Sequence, residues 1–227
     1  MEGLYAFGHA FHQEEWNAKF AESSSPKAVW LGAEDALPQD ATAIFDFLLD
    51  EQPERLKAYA DRTNLVVFGG GLMISLGEMA QKIGRKIDCS LIGINAWPTM
   101  LNRSLWEVSF YNENAKKDAE EVLGNMEIEF GEVQDRVGMA TPRLLSMIIN
   151  EASFTVQEGT ATEADIDQAM SLGVNYPGGP FSWLASFGHE RVIGLLQKMH
   201  SETGNGRYKI APRLLSQGRR IYAESVA

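Results

Sequence analysis

The chain is short of cysteine, of basic charge, of long apolar runs and of clustered glycine near its start, and each shortage removes a class of function. Its one cysteine, Cys89, has no partner for an intramolecular disulfide, and no C-x-x-C or comparable spacing suggests a zinc site. A reducing, cytoplasmic compartment is the expectation. Against 31 Asp and Glu stand 20 Lys and Arg, a formal net charge of −11 that repels a phosphate backbone, and no basic stripe interleaved with aromatics offsets it. Nucleic acid is a poor partner on that ground. A small anionic ligand is not excluded, because local Lys and Arg set the field within a Debye length. No window reaches the ~18 consecutive apolar residues of a membrane span. Residues Met1 to Trp16 carry neither a basic n-region nor an apolar h-region, so neither membrane insertion nor export is expected.

What is present suffices for a packed protein: 44% hydrophobic and 10% aromatic residues in a chain of 227. Two domains are expected, with a boundary near Asp135. Over residues 1–135 short β-type runs alternate with helical stretches, the pattern of βα units around a parallel sheet. Strands are predicted over Gly3 to Phe7, Ala28 to Leu31, Ala43 to Leu48, Asn64 to Phe68, Ser90 to Ile94, Leu105 to Tyr111 and Glu127 to Phe130. Helices are predicted over Gln13 to Ala21, Pro53 to Ala60, Ser75 to Ile83 and Asn114 to Leu123, and Ser23 to Ser25 marks a loop. Over residues 136–227 the β signal ends. Leu144, Leu145, Ile148, Ile149, Ala152 and Val156 recur at helical spacing until Gly159, predicting a long, largely buried helix. Thr162 to Asp165 reads as a capping box on a second helix, Pro180 starts a third, Glu190 to His200 forms a fourth, and Pro212 to Gly218 a short last one. The fold class is therefore α/β plus all-α.

The stretch from Gly138 to Phe181 carries Arg143-Leu144-Leu145, Asn150-Glu151-Ala152, Glu158-Gly159, Asp165-Ile166-Asp167, Ala169-Met170, Leu172-Gly173 and Pro177 through Phe181. In order and spacing these resemble the C-terminal domain of the 3-hydroxyacyl-CoA dehydrogenases, and Arg207-Tyr208 with Ala211 to Leu215 and Gly218 resembles its closing segment. Upstream, Gly93 to Val108 is similar to the family segment that carries the catalytic histidine and its glutamate, and Leu65 to Leu72 to the strand that carries a serine. The resemblance implies a shortened, degenerate Rossmann-like domain followed by the helical domain, and a fatty-acid type of acyl-CoA metabolism.

It also implies which positions matter. In the family a histidine takes the substrate's hydroxyl proton while hydride passes to NAD, and a glutamate orients the histidine; imidazole suits the task because it titrates near neutrality. Asn95 stands at the histidine position and has no useful protonation equilibrium. Losing the base is worth roughly 10²–10⁴ in rate. Glu107 keeps the glutamate position. The serine falls on Gly69-Gly70-Gly71, where a flexible turn is expected, and Ser75 is read as a helix cap. The family asparagine is Pro142, which with Thr141 as N-cap makes a favourable helix start.

A dinucleotide loop needs glycines so that backbone amides approach the pyrophosphate. The loop Phe7-Gly8-His9-Ala10-Phe11-His12 offers only Gly8 beside bulky rings. Glu34 or Asp35 follows the second strand, where the family's ribose carboxylate falls. NAD, the family cofactor, is accordingly not expected to bind. His9 and His12 stand three apart beside Glu14 and Glu15, but two loop histidines without a second convergent pair do not make a metal site. Catalytic roles, if any remain, rest on Glu107 and Asn95, and cofactor contacts on Gly8 and Glu34. Three readings follow. The first is an impaired enzyme (a pseudoenzyme) that still binds acyl-CoA and forms a homodimer through the helical domain, where Trp183, Leu184 and Phe187 read as exposed. The second is a working oxidoreductase that uses Glu107, and the third is an interaction subunit with no ligand.

Overall fold

A computed structural model of the chain describes residues 3–22 and 27–225; the loop expected at Ser23 to Ser25 lies outside the described residues. Two compact units divide after Met139. The first holds a seven-stranded sheet: β1 (Leu4–Phe7), β2 (Val29–Trp30), β3 (Ala43–Asp46), β4 (Val66–Phe68), β5 (Ser90–Ile94), β6 (Leu105–Phe110) and β7 (Glu129–Glu132). The order is β2-β1-β3-β4-β5-β6-β7. Neighbours run parallel throughout except at β5 and β6, where Ile94 lies opposite Val108 in an antiparallel pair. The unit is Rossmann-like.

The central strands are buried on both faces, which is why they read as continuous apolar runs instead of alternating ones. The two-residue side-chain period sends Ala6, Phe45, Phe68 and Ile92 to one core and Phe7, Ile44, Val67 and Leu91 to the other. On the first face lie α1 (Ala10–Lys19), through Trp16, and α3 (Glu113–Asn125), through Ala115, Ala119, Val122 and Leu123. On the second lie a 3-10 segment (Pro53–Ala58), through Leu56, and α2 (Leu76–Ile83), through Leu76, Met79 and Ile83. Ser75 caps α2 by accepting from Glu78 N at 3.1 Å, and Gly84 closes it in the left-handed region.

One boundary differs in a way that matters. α1 begins at Ala10, three residues earlier than its apolar pair Trp16 and Phe20 suggests. His9 is its N-cap and His12 belongs to its first turn, so the stretch expected to be a loop is mostly helix. The glycine run differs too. Gly69, Gly70 and Gly71 are buried and tightly packed, not a flexible turn. A Cβ on Gly69 would stand 2.1 Å from Asp46 O, and one on Gly71 2.9 Å from Met139 Cε. Close approach of the chain, at φ 156°, 75° and 92°, is what demands glycine here.

The second unit is helical: α4 (Thr141–Gln157), α5 (Glu163–Gly173), α6 (Pro180–Phe187), α7 (His189–Thr203), a 3-10 turn (Gly206–Tyr208) and α8 (Pro212–Ser225). Each of α5, α6, α7 and α8 packs against α4. Ala140, not Thr141, is the N-cap of α4, which puts Thr141 and Pro142 in its first turn. Proline is tolerated at either position because the first-turn amides have no intrahelical partner. Only one face of α4 is covered: Ile149, Asn150, Ala152 and Ser153 are buried, whereas Leu144 is 60% exposed. Leu184 and Phe187, expected at the surface, are 3% and 1% exposed and pack inward.

The recurrent sequence elements of this unit hold it together by hydrogen bonds. Asn150, 3% exposed, donates from its amide to Lys209 O at 2.9 Å and accepts from Ala211 N at 2.8 Å, tying the closing segment to α4. Arg143 donates to the Tyr208 hydroxyl at 2.9 Å. Thr162 and Asp165 form the expected capping box on α5. Asp167 accepts from Phe181 N and Ser182 N at 2.8 and 2.9 Å, fixing the start of α6. Gly179 is obligatory for that contact, since a Cβ there would lie 2.2 Å from the Asp167 carboxyl carbon. Asn150→Ala leaves the buried Ala211 amide and the Lys209 carbonyl without their side-chain partner, so a loss of roughly 1–3 kcal/mol is expected. A urea midpoint unchanged from wild type would show that the staple contributes nothing.

Candidate functional site

In a parallel sheet ligands sit beyond the carboxyl ends of the strands where the winding reverses. Here the reversal lies between β1 and β3, because the chain leaves β1 for β2 on one side and returns to β3 on the other. Gly8 and His9 follow β1, and Phe47 to Gln52 follow β3.

The crevice between these ends is filled by the chain itself. The His12 ring is 4% exposed and stacks on Phe47 with centroids 4.7 Å apart and planes 16° from parallel, with Phe11 at 3.9 Å. His12 Nδ1 accepts from His9 N at 3.0 Å, and because a backbone N–H can only donate, the ring proton sits on Nε2. Nε2 then donates to Ala96 O at 3.0 Å, beyond the end of β5. A Cβ on Gly8 would meet Phe47 Cδ2 and His12 Nδ1 at 3.0 Å each, so Gly8 serves the plug and not a ligand. Outside the ring, His9 Nε2 lies 3.0 Å from both oxygens of Glu51.

The same helix turns bind the loop after β5. Glu15 accepts from Thr99 N at 2.5 Å and Leu101 N at 3.2 Å, and Lys19 donates to Arg103 O at 2.7 Å. His12, Glu15 and Lys19 thus present one helix face to residues 96–103.

Beneath the crevice, Asp46 at the end of β3 is fully buried. It accepts from Arg55 Nε at 2.8 Å, the Tyr59 hydroxyl at 2.7 Å and Leu48 N at 3.1 Å. Burial, with the Asp46 charge adding to it, pushes the Tyr59 phenol well above its ordinary value. Arg55 also lies over the Phe7 ring at 4.5 Å and donates to Ala33 O at 2.8 Å, which spends the cation nearest the crevice on structure. Of the two acidic residues after β2, Asp35 accepts from Gly32 N at 2.7 Å in a local turn, and Glu34 is exposed.

Asn95 and Glu107 are brought together. They follow the Ile94–Val108 pair across the antiparallel strands, and Asn95 N donates to Glu107 O at 3.2 Å. The Asn95 side chain is 5% exposed and its Oδ1 accepts from Trp97 N at 3.4 Å. The Gly69–Gly71 run reaches this strand pair, since Gly70 O accepts from Ile94 N at 3.2 Å. Pro142 belongs to the other unit, buried in the first turn of α4. Among the described residues no three His, Cys, Asp or Glu side chains converge as metal ligands, and no helix is long and apolar enough to cross a membrane. A cavity of about 550 Å³ opens at the opposite, amino-terminal edge of the sheet, among Thr42, Thr63, Asn64, Asp118 and Glu121, and none of the residues above lines it.

The residues present do not fit a dinucleotide. The space for the pyrophosphate holds an imidazole, and the N-cap amide of His9 is already bonded to it. Of the 31 acidic and 20 basic residues, 23 and 12 fall within 1–139, so this unit carries the entire net charge of −11. Nothing in the spacing of His12, Phe47 and Asp46 tells that they meet; in sequence His9 and His12 read as members of the Gly8 loop and as a possible metal motif.

The fold is a Rossmann-like α/β unit followed in the chain by a helical unit. Residues 138–223 match the family described as 3-hydroxyacyl-CoA dehydrogenase, C-terminal domain. The 3-hydroxyadipyl-CoA dehydrogenase of Escherichia coli strain K12 is 46% identical over 78 residues, 34% of this chain and 16% of that enzyme. The probable 3-hydroxybutyryl-CoA dehydrogenase of Bacillus subtilis strain 168 is 36% identical over 83 residues, 37% of this chain and 29% of that protein. The matched stretches are therefore under a third of the length of these relatives. The (S)-3-hydroxybutyryl-CoA dehydrogenase PaaH1 from Ralstonia eutropha has the same fold, with a TM-score of 0.66 over 86% of this chain and 70% of that one at 20% identity.

His12→Ala removes a buried ring and strands His9 N and Ala96 O, so a stability loss of roughly 2–4 kcal/mol is expected by urea denaturation. A change within the ±0.5 kcal/mol typical of surface substitutions would show that the ring plugs nothing.

Proposed function

We propose that the chain is a catalytically impaired homologue of the 3-hydroxyacyl-CoA dehydrogenases that has given up NAD chemistry, keeps recognition of an acyl-CoA, and pairs with a second copy through its helical unit. The observation that carries the reading is the His12 ring stacked on Phe47 in the crevice where a dinucleotide would lie. Asn95 supports it, because a side-chain amide can hydrogen-bond a hydroxyl or thioester carbonyl but cannot take a proton. The acyl-CoA class is carried over from the printed names of the relatives, whose substrates are 3-hydroxyadipyl-CoA and 3-hydroxybutyryl-CoA. Leu144, Leu172 and Val174 on the helical unit are 60%, 78% and 55% exposed, and these are the side chains that the pairing would cover.

The juxtaposition of Asn95 and Glu107 favours one rival, an oxidoreductase with Glu107 as base. Activity separates the two. With acetoacetyl-CoA the purified protein is expected to oxidise NADH at least roughly 10²-fold more slowly than an authentic family enzyme, the least that loss of the base costs. Turnover within tenfold of that enzyme would hand the case to the rival. Light scattering at micromolar protein is expected to report about twice the 25.1 kDa of the chain, and a mass of one chain would remove the pairing from the proposal.

A further inference from the structure

The cleft at the amino-terminal edge of the sheet is chemically one-sided. From α3 it is lined by Asp118, Glu121 and Asn125, which stand three and four residues apart and so share a face of the helix. Thr63 and Asn64, which lead into β4, add a hydroxyl and a carboxamide, and Leu65, Val66 and Val122 add apolar surface. Among the described residues no lysine or arginine lines this cleft. Lys117 opens onto a neighbouring hollow with Asn112 and Asn114, and Lys86 there is paired with Asp88.

The α3 wall is left negative in two ways. Asp118 and Glu121 are like charges one turn apart, which destabilises a helix, and beyond Lys117 the helix holds no base. The partial negative charge at its carboxyl end therefore meets no cation, although that is where a cation is favoured. Ser90, 8% exposed, donates to Asp118 Oδ2 and fixes that carboxylate, while Glu121 is exposed and, among the described residues, unpartnered. The surrounding unit adds to the field, since residues 1–139 carry the net charge of −11.

We propose that this cleft binds an aliphatic polyamine: ammonium groups meet Asp118, Glu121 and the carboxyl end of α3, and the methylenes between them lie on Leu65, Val66 and Val122. Its volume, about 550 Å³, is that of a small-ligand pocket. One ammonium does not suffice, because an exposed ion pair contributes little by itself, whereas joining two on one chain makes the second contact intramolecular. A bare divalent ion fits worse. It asks for a closed shell of oxygen ligands, and the described residues bring no three His, Cys, Asp or Glu side chains together as metal ligands. Nothing in this site depends on acyl-CoA recognition or on the crevice at the other edge of the sheet.

Calorimetric titration of spermidine into the full chain at low ionic strength tests this. Wild type is expected to give a saturable isotherm that weakens as salt is added. Asp118→Asn combined with Glu121→Gln keeps an acceptor for the Ser90 hydroxyl and is expected to weaken binding about tenfold, because both ion pairs are lost. Glu54→Gln combined with Glu129→Gln removes the same charge from exposed positions that do not line the cleft, and should bind like wild type. Asn125→Lys, an exposed substitution, tethers an ammonium at the carboxyl end of α3 and is expected to raise the melting temperature while weakening spermidine. An absent isotherm in wild type, an equal loss in the two double variants, or unchanged affinity in Asn125→Lys would overturn the site. So would magnesium chloride, if it gave the same heat and the same loss on substitution.

Discussion

The first unit depends on where one imidazole sits. His12 fills the carboxyl-end crevice between β1 and β3, stacked on Phe47 and hydrogen-bonded at both ring nitrogens, to His9 N on one side and Ala96 O on the other. Gly8 is small because the ring is there, α1 starts at Ala10 because His12 satisfies its N-cap amide, and the loop after β5 is anchored because Nε2 reaches it. A buried polar side chain with both partners in place rigidifies its surroundings, whereas the same ring with one partner removed is a liability. The feature that makes a Rossmann-like sheet a nucleotide binder, open backbone amides at this switch point, has been consumed as packing.

The helical unit obeys a different constraint. The elements it shares with the dehydrogenase C-terminal domain, Arg143, Asn150, Thr162, Asp165, Asp167 and Gly179, make contacts inside the unit: a staple to the closing segment, a capping box and a carboxylate cap that leaves no room for a Cβ. Strong likeness in this half therefore reports the fold and says little about chemistry. The positions that the proposal ties to chemistry, Asn95 and Glu107, are in the other half, outside the matched region. The match of residues 138–223 to that domain and a proposed loss of catalysis are compatible for this reason.

Much of the architecture was legible from sequence because it rests on local rules. β5 is found at Ser90–Ile94 as read, Ser75 caps α2, and Thr162 with Asp165 caps α5, since strand runs and caps are short-range patterns. The start of α1 was not legible. It buries only His12 and Trp16, too few positions for an apolar stripe, and histidine is not among the usual N-cap residues. Nor were the close approaches. Gly69–Gly71 look like a flexible turn until Asp46 O is seen 2.1 Å from where a Cβ would be, and Leu184 and Phe187 look exposed until α6 is packed on α4. Asp46 gave no signal at all, since a buried carboxylate is identified by its donors, and the side-chain donors Arg55 and Tyr59 lie 9 and 13 residues away in the chain.

That the crevice is closed to dinucleotides is the claim on which the functional reading stands, and ligand-induced stabilisation measures it directly. A ligand that binds only the folded state at 100 times its Kd adds about 2.7 kcal/mol, a large shift in a melting curve. The account predicts that millimolar NAD leaves the melting temperature of the wild-type chain unchanged. A saturable rise in melting temperature with NAD would contradict it, because the nucleotide would then have displaced the His12 ring or found room beside it.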